Sequence, residues 1–166
     1  ALASERGQRH LRILSAAHEY RPALARLYPE SATDVIVTED PEYFQPLAAQ
    51  LGEYFAGLRH EFAWPLDLHG TPFQLDVWRL IAQIPYGHLQ TFRQIAAALA
   101  RPRAARAVGR AVGKNPLAIL LPSHRVVGMA GDLAGFLAGN DLKARLLRLE
   151  GHTLNGCRQV APPRLF

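Results

Sequence analysis

Between Thr91 and Pro116 the chain reads TFRQIAAALARPRAARAVGRAVGKNP, and Pro102 in its middle restricts the local structure more than any neighbouring residue. Proline has no N–H and its ring clashes with the preceding turn, so a helix must stop before it, whereas a new helix can start on it. Behind Thr91, a good N-cap, Phe92, Ile95, Ala96 and Leu99 recur at helical spacing. Two short helices on a tight turn make a helix-turn-helix candidate. On the second helix Arg103, Arg106 and Arg110 share a face, while Ala104, Ala105, Ala107, Gly109 and Ala111 leave most of the remaining surface nearly flat. A helix this smooth can lie very close to something. A packed helix pair with a solvated Arg face would look the same, but basic residues alternating with small ones at a tight turn favour DNA.

The charge distribution points the same way. Residues 1–66 hold six Arg, no Lys and nine acids, a net charge of −3, whereas residues 67–166 hold thirteen basic and five acidic residues, a net of +8. Seventeen of the nineteen basic residues are Arg, whose planar fork suits phosphates and base edges. With 166 residues, about half of them hydrophobic, the chain can bury a core. No apolar run approaches the roughly 20 residues of a membrane helix, and the opening residues mix Arg, Glu and His, so the expectation is a soluble, cytoplasmic protein; a monomer is expected. One cysteine, Cys157, excludes an internal disulfide, and the seven His show no metal-binding spacing, so no metal and no cofactor are expected.

The elements divide into two parts. Residues 8–14 and 34–38 read as strands, and Asp40 with Pro41 opens a helix carrying Phe44, Leu47, Leu51, Tyr54 and Phe55 on one side. The Pro- and Gly-containing stretch ending at Gly70 marks the boundary, after which Thr71 and Pro72 open a helix with Phe73, Val77, Trp78 and Ile81. The fold class is therefore α/β of the α+β kind. A small N-terminal α+β domain, 1–69, precedes a mostly helical domain, 70–151, with the helix-turn-helix and a short active-site strand, and residues 152–166 form a tail.

That strand is expected in the apolar run Leu117–Pro122, so that Ser123 and His124 emerge at its edge. A serine hydroxyl is a weak nucleophile that needs a base within reach, yet adjacent side chains on extended backbone point to opposite faces. No GxSxG elbow surrounds Ser123 either, so a serine hydrolase using Asp132 or Glu150 is poorly supported, and a simple polar cap on a strand end stays open.

The segments GTPFQLDVW, IPYGHLQTF, AARAVG, KNPLAILLPSHRV, GDLAGF and KARLLRLEG, in this order and spacing over residues 70–151, resemble the C-terminal domain of the O6-alkylguanine-DNA alkyltransferases, suicidal DNA-repair proteins. The resemblance implies minor-groove binding of duplex DNA and flipping of O6-alkylguanine into a pocket. It implies that Ala104, Ala105, Ala107 and Gly109 face the groove and that Arg106 fills the vacated stack, with Phe92, Arg103, Arg110 and Arg125 as further DNA contacts. Phe92, Pro122, Val126, Gly135, Phe136 and Leu137 correspond to the lesion pocket. Asn115 matches the hinge asparagine, His124 the residue that activates the nucleophile through water, and Glu150 the acid that orients this histidine.

Position 123 is the nucleophilic cysteine in the active family, and here it is Ser123. A thiol has a reference pKa near 8.5, whereas an alcohol is far harder to ionise and lacks sulfur's softness towards alkyl carbon, so transfer should be nearly abolished. Phe92 and Phe136 also stand where phenols are common in the family. The chain so read is a lesion sensor like the alkyltransferase-like proteins, which pass the lesion to nucleotide excision repair proteins. The alternative is an active methyltransferase captured as a Cys→Ser variant. A sequence-specific transcription factor would use the helix-turn-helix but leave the segment around Ser123 unexplained.

Overall fold

Two threonines start the helices around which the described chain is organised. The computed structural model describes residues 41–155 and 159–160, and the backbone alone of 2–4 and 7–10. The N-terminal backbone forms an antiparallel pair, β1 (Leu2–Ser4) with β2 (Gly7–His10). The strand expected at 34–38, residues 11–14, Asp40 and Cys157 lie outside the described residues.

Helix α1 (Pro41–Phe55) buries Leu47 and Tyr54, whereas Phe55, expected on the same side, is exposed. At α2 (Pro72–Ala82) Thr71 accepts from the Gln74 N–H at 3.3 Å and the Gln74 side chain accepts from the Thr71 N–H at 2.8 Å, which satisfies two end donors reciprocally. The same box recurs at α3 (Phe92–Ala98), with Thr91 and Gln94. Thr91 is also the last residue of β3 (Gln90–Thr91), which pairs in parallel with β4 (Val126–Val127).

A short 3-10 turn, Pro102–Ala104, leads into α4 (Ala105–Gly113). Helix α5 (Asn140–Leu149) follows, and β5 (Leu154–Asn155) pairs antiparallel with β6 (Gln159–Val160). Val77, Trp78 and Ile81 of α2 pack with Ile95, Ala96, Val108, Val112, Leu117 and Leu121 in one core, which Leu47 of α1 joins. Fully burying such a side chain stabilises the fold by roughly 1.5–3 kcal/mol. The Trp78 indole donates to the Ala111 carbonyl at 2.9 Å, so α2 and α4 are joined by a polar bond inside that core. The described fold is mostly helical with short strands.

The expected strand at 117–122 is not a strand. Asn115 accepts from the Leu117 N–H at 2.9 Å and donates to the Leu121 carbonyl at 2.8 Å, and the Leu121 N–H bonds the Leu117 carbonyl at 2.8 Å. The segment curls around one buried amide, with Ile119 at φ 77° and an isolated bridge between Ala118 and Leu121. Burial was legible in the apolar run, extension was not.

The turn of the helix pair carries a second strained residue. Ala100 sits at φ 55° after α3, while the Arg101 N–H reaches the Ala96 carbonyl at 2.9 Å. This position ordinarily takes glycine, because a Cβ in the left-handed region costs about 1–2 kcal/mol. Ala100→Gly should therefore stabilise the protein by about 0.5–1 kcal/mol, after the larger unfolded-state entropy of glycine is offset, as read from urea unfolding. An unchanged or lowered midpoint would show that the turn relaxes around Ala100.

Candidate functional site

The curled segment delivers its end into a 3-10 turn, Ser123–Arg125, in which all three residues are buried. The Ser123 N–H bonds the Leu121 carbonyl at 2.7 Å and the Arg125 N–H bonds the Pro122 carbonyl at 2.9 Å. Ser123 and His124 therefore leave a tight turn rather than an extended edge. Asn115, which closes the curl, also donates from Nδ2 to Ser123 Oγ at 2.9 Å. One side chain thus shapes the backbone before Ser123 and holds its hydroxyl.

His124 bonds Glu150 and makes no hydrogen bond to Ser123. Its Nε2 lies 2.7 Å from Glu150 Oε1, at the C-terminal end of α5, and both side chains are fully buried. Arg125 forks onto the same carboxylate, with Nε at 2.9 Å from Oε2 and Nη2 at 2.9 Å from Oε1, and its Nη1 donates to the Ile84 carbonyl at 2.6 Å. The Gly87 N–H adds a donor to Oε2 at 3.1 Å, and the Tyr54 hydroxyl one to Oε1 at 2.7 Å. Burial acts to raise the Glu150 carboxyl, but the hydrogen bonds from His124 and Arg125 and the charge of Arg125 outweigh it and hold Glu150 well below the usual carboxylate range. An ionised carboxylate only accepts, so Nε2 of His124 carries the hydrogen and Nδ1 keeps the lone pair. Nδ1 is buried with no hydrogen-bond partner among the described residues. Burial lowers the affinity of His124 for a second proton, against the pull of Glu150, so the imidazole is a neutral base.

Arg125, which the resemblance implies to be a DNA contact, is instead drawn inside the protein. It is 6 % exposed and committed to Glu150 and Ile84, because a buried carboxylate requires a paired cation. The other arginines of the set behave differently. Arg103, Arg106 and Arg110 are exposed along α4 and the turn before it, Ala104, Ala105, Ala107 and Gly109 are half-buried, and Val108 faces the core.

Between α4 and the segment 129–135 runs an open groove of about 480 Å³, lined by Phe92, Ala105, Arg106, Gly109, Arg110 and Met129, with Gly135 on its far wall. Gly135 has φ 75°, and a Cβ there would stand 3.2 Å from the Phe92 ring, so glycine lets this wall approach the aromatic floor. Of the residues expected in the lesion pocket, Phe92 and Gly135 line the groove, whereas Pro122, Val126 and Phe136 are buried and Leu137 is 60 % exposed. Phe136 is edge-on to the His124 ring at 6.3 Å, which makes it a wall beside the His124–Glu150 pair.

Sequence reasoning missed Tyr54 and Gly87, which donate to Glu150, and Arg93 and Met129, which line the groove. For Tyr54 a signal existed, since a phenol on a buried helix face must find a partner for its hydroxyl. It also missed Lys143, buried in α5, which donates to the Val126 carbonyl at 2.5 Å and the Ala134 carbonyl at 2.8 Å. Among the described residues no group of His, Cys, Asp and Glu could hold a metal ion, and no helix is long and apolar enough to cross a membrane.

Residues 72–152 match the family described as 6-O-methylguanine DNA methyltransferase, DNA binding domain. Over 113 residues, 68 % of this chain and 68 % of the relative, the sequence is 50 % identical to the methylated-DNA–protein-cysteine methyltransferase of Mycolicibacterium paratuberculosis. The fold is similar to the crystal structure of Mycobacterium tuberculosis O6-methylguanine methyltransferase, with a TM-score of 0.65 and 48 % identity over 68 % of each chain. It is also similar to that of M. tuberculosis OGT in complex with DNA, with a TM-score of 0.63 and 48 % identity over 64 % of this chain and 66 % of that one.

Lys143 generates a test of this electrostatic picture. Burial lowers its ammonium from 10.5 to about 7, and the neutral amine still has the two hydrogens its carbonyl partners need. Between those values the unfolded chain binds a proton that the folded chain does not, so stability rises with pH. In urea titrations from pH 7 to about pH 10 the native protein should gain stability relative to Lys143→Met. A difference independent of pH would mean that Lys143 stays charged when buried.

Proposed function

The chain belongs to the methylated-DNA–protein-cysteine methyltransferase family, and from that premise we propose that it binds O6-alkylguanine in duplex DNA without accepting the alkyl group. The observation that carries the reading is Ser123. The chain retains the surroundings that would serve a nucleophile there, with Asn115 on its Oγ and a neutral His124 held by Glu150, but the group itself is an alcohol. A thiol with a reference pKa near 8.5 can be ionised by a buried imidazole, and an alcohol cannot. The donor on Oγ would stabilise a thiolate, but one hydrogen bond is far too little to ionise an alcohol.

The DNA face is α3, the turn and α4. The flat Ala/Gly surface fits a minor groove, where small residues permit close approach, and Arg106 would occupy the stack left by an extruded base. That base enters the groove over Phe92, whose apolar floor offers stacking without a phenol tip. Recognition so built rests on shape and stacking, and the retained lesion is available to nucleotide excision repair proteins. A serine hydrolase is disfavoured, since the free nitrogen of His124, Nδ1, has no hydrogen-bond partner among the described residues and so makes no bond to the Ser123 hydroxyl.

Two measurements test the reading. Arg106→Ala should weaken binding to lesion duplex by removing a wedge as well as a charge, whereas Arg110→Ala should reduce the salt slope by about one unit on every sequence. Equal, purely electrostatic effects would overturn the wedge assignment. The Ser123 protein should bind DNA containing O6-methylguanine more tightly than control DNA and leave the methyl on the base. Ser123→Cys should take up one methyl per molecule, seen as a mass increase on the active-site peptide. Clearance of methyl groups by the Ser123 protein itself would sink the proposal.

A further inference from the structure

Helix α1 lies outside the segment 72–152 that matches the family's DNA-binding domain, yet it contributes a side chain to the relay. Tyr54 is fully buried, and its hydroxyl donates at 2.7 Å to Glu150 Oε1, the oxygen that also faces His124 Nε2 at 2.7 Å. The hydroxyl itself is 3.4 Å from that nitrogen. Its ring is held by Phe62 at 5.4 Å and, edge-on, by Tyr86 at 6.1 Å, so packing rather than the hydrogen bond decides where the hydroxyl points.

We infer that Tyr54 is a positioning residue of the relay, which by sharing Glu150 Oε1 with His124 sets how strongly the imidazole holds a proton. A carboxylate offers about four lone-pair sites, and here Tyr54, His124, Gly87 and the Arg125 fork all draw on them. Each donor that stabilises the anion reduces the electron density left for the imidazole. Removing the phenol hydrogen leaves Oε1 more basic, strengthens its attraction for an imidazolium and raises the proton affinity of His124.

The groups facing His124 are few. Glu150 and Lys143 come from α5, Arg125 from its own turn and Tyr54 from α1. Tyr86, from the segment before β3, lies behind Arg125 and donates to the Leu149 carbonyl at 2.8 Å. Arg125 and Lys143 disfavour the imidazolium and Glu150 favours it. Tyr54 acts through Glu150 as a neutral donor, since burial and the neighbouring carboxylate hold its phenol above the ordinary tyrosine range.

The test is a nitrogen-15 NMR titration of His124 in the full chain, which needs neither DNA nor a cysteine and so stands apart from the proposed lesion binding. Tyr54→Phe keeps the ring and should move the His124 midpoint upward by about one pH unit, the scale of one hydrogen bond's net worth. In a Glu150→Gln background the same substitution should leave the midpoint where that background puts it. Site-specific 3-fluorotyrosine at position 54 fills the same space with a more acidic hydroxyl, and should move the midpoint downward. Opposite shifts support the inference, and the fluorotyrosine shift alone decides it if Tyr54→Phe does not fold. A midpoint indifferent to fluorination, or an equal response without Glu150, would reduce Tyr54 to a packing residue.

Discussion

A single buried carboxylate, that of Glu150, organises the described structure around the site. An ionised group withdrawn from water costs several kcal/mol unless its lone pairs are filled, and here the donors come from widely separated places in the chain. Tyr54 arrives from α1, Gly87 from the connection before β3, and His124 and Arg125 from the turn after the curled segment. None of these elements can shift without leaving charge or hydrogen-bonding capacity uncompensated. The exit of α5 therefore defines where the turn carrying Ser123 must sit.

Asn115 plays the complementary part on the other side of Ser123. Its amide serves the Leu117 N–H, the Leu121 carbonyl and the Ser123 hydroxyl, so backbone shape and side-chain position are determined by one residue. The chemistry proposed for the chain follows from the contrast between this geometry of support and the alcohol it supports. Everything that would assist ionisation is present around a group too weakly acidic to profit from it.

The parts of this arrangement legible in the sequence are those with local causes. Thr71 and Thr91 with glutamine three residues on announce their helices, and Pro102 separates α3 from α4, because caps and proline act within one turn. The run 117–122 was legible as buried but not as curled, since apolar character is silent about φ at Ile119 and about an amide two residues upstream of the run. The burial of Arg125 was not legible because a motif does not reveal what its side chains pack against; only the contact with a residue 25 positions away does. Tyr54 needed a contact across 96 positions, beyond any periodicity. Asn115, His124 and Glu150 were assigned through resemblance, and no spacing in the chain would have brought them together.

The buried lysine of α5 has a consequence for the groove. Lys143 binds the Val126 and Ala134 carbonyls at once and so draws together the two ends of the segment that carries Met129 to the groove's rim. This is a non-covalent clasp at the neck of a loop. A loop closed at its neck has already lost much of its chain entropy during folding, and whatever enters the groove does not have to order it again. The wall opposite α4 is thus pre-organised from beneath, by a residue that never meets the guest.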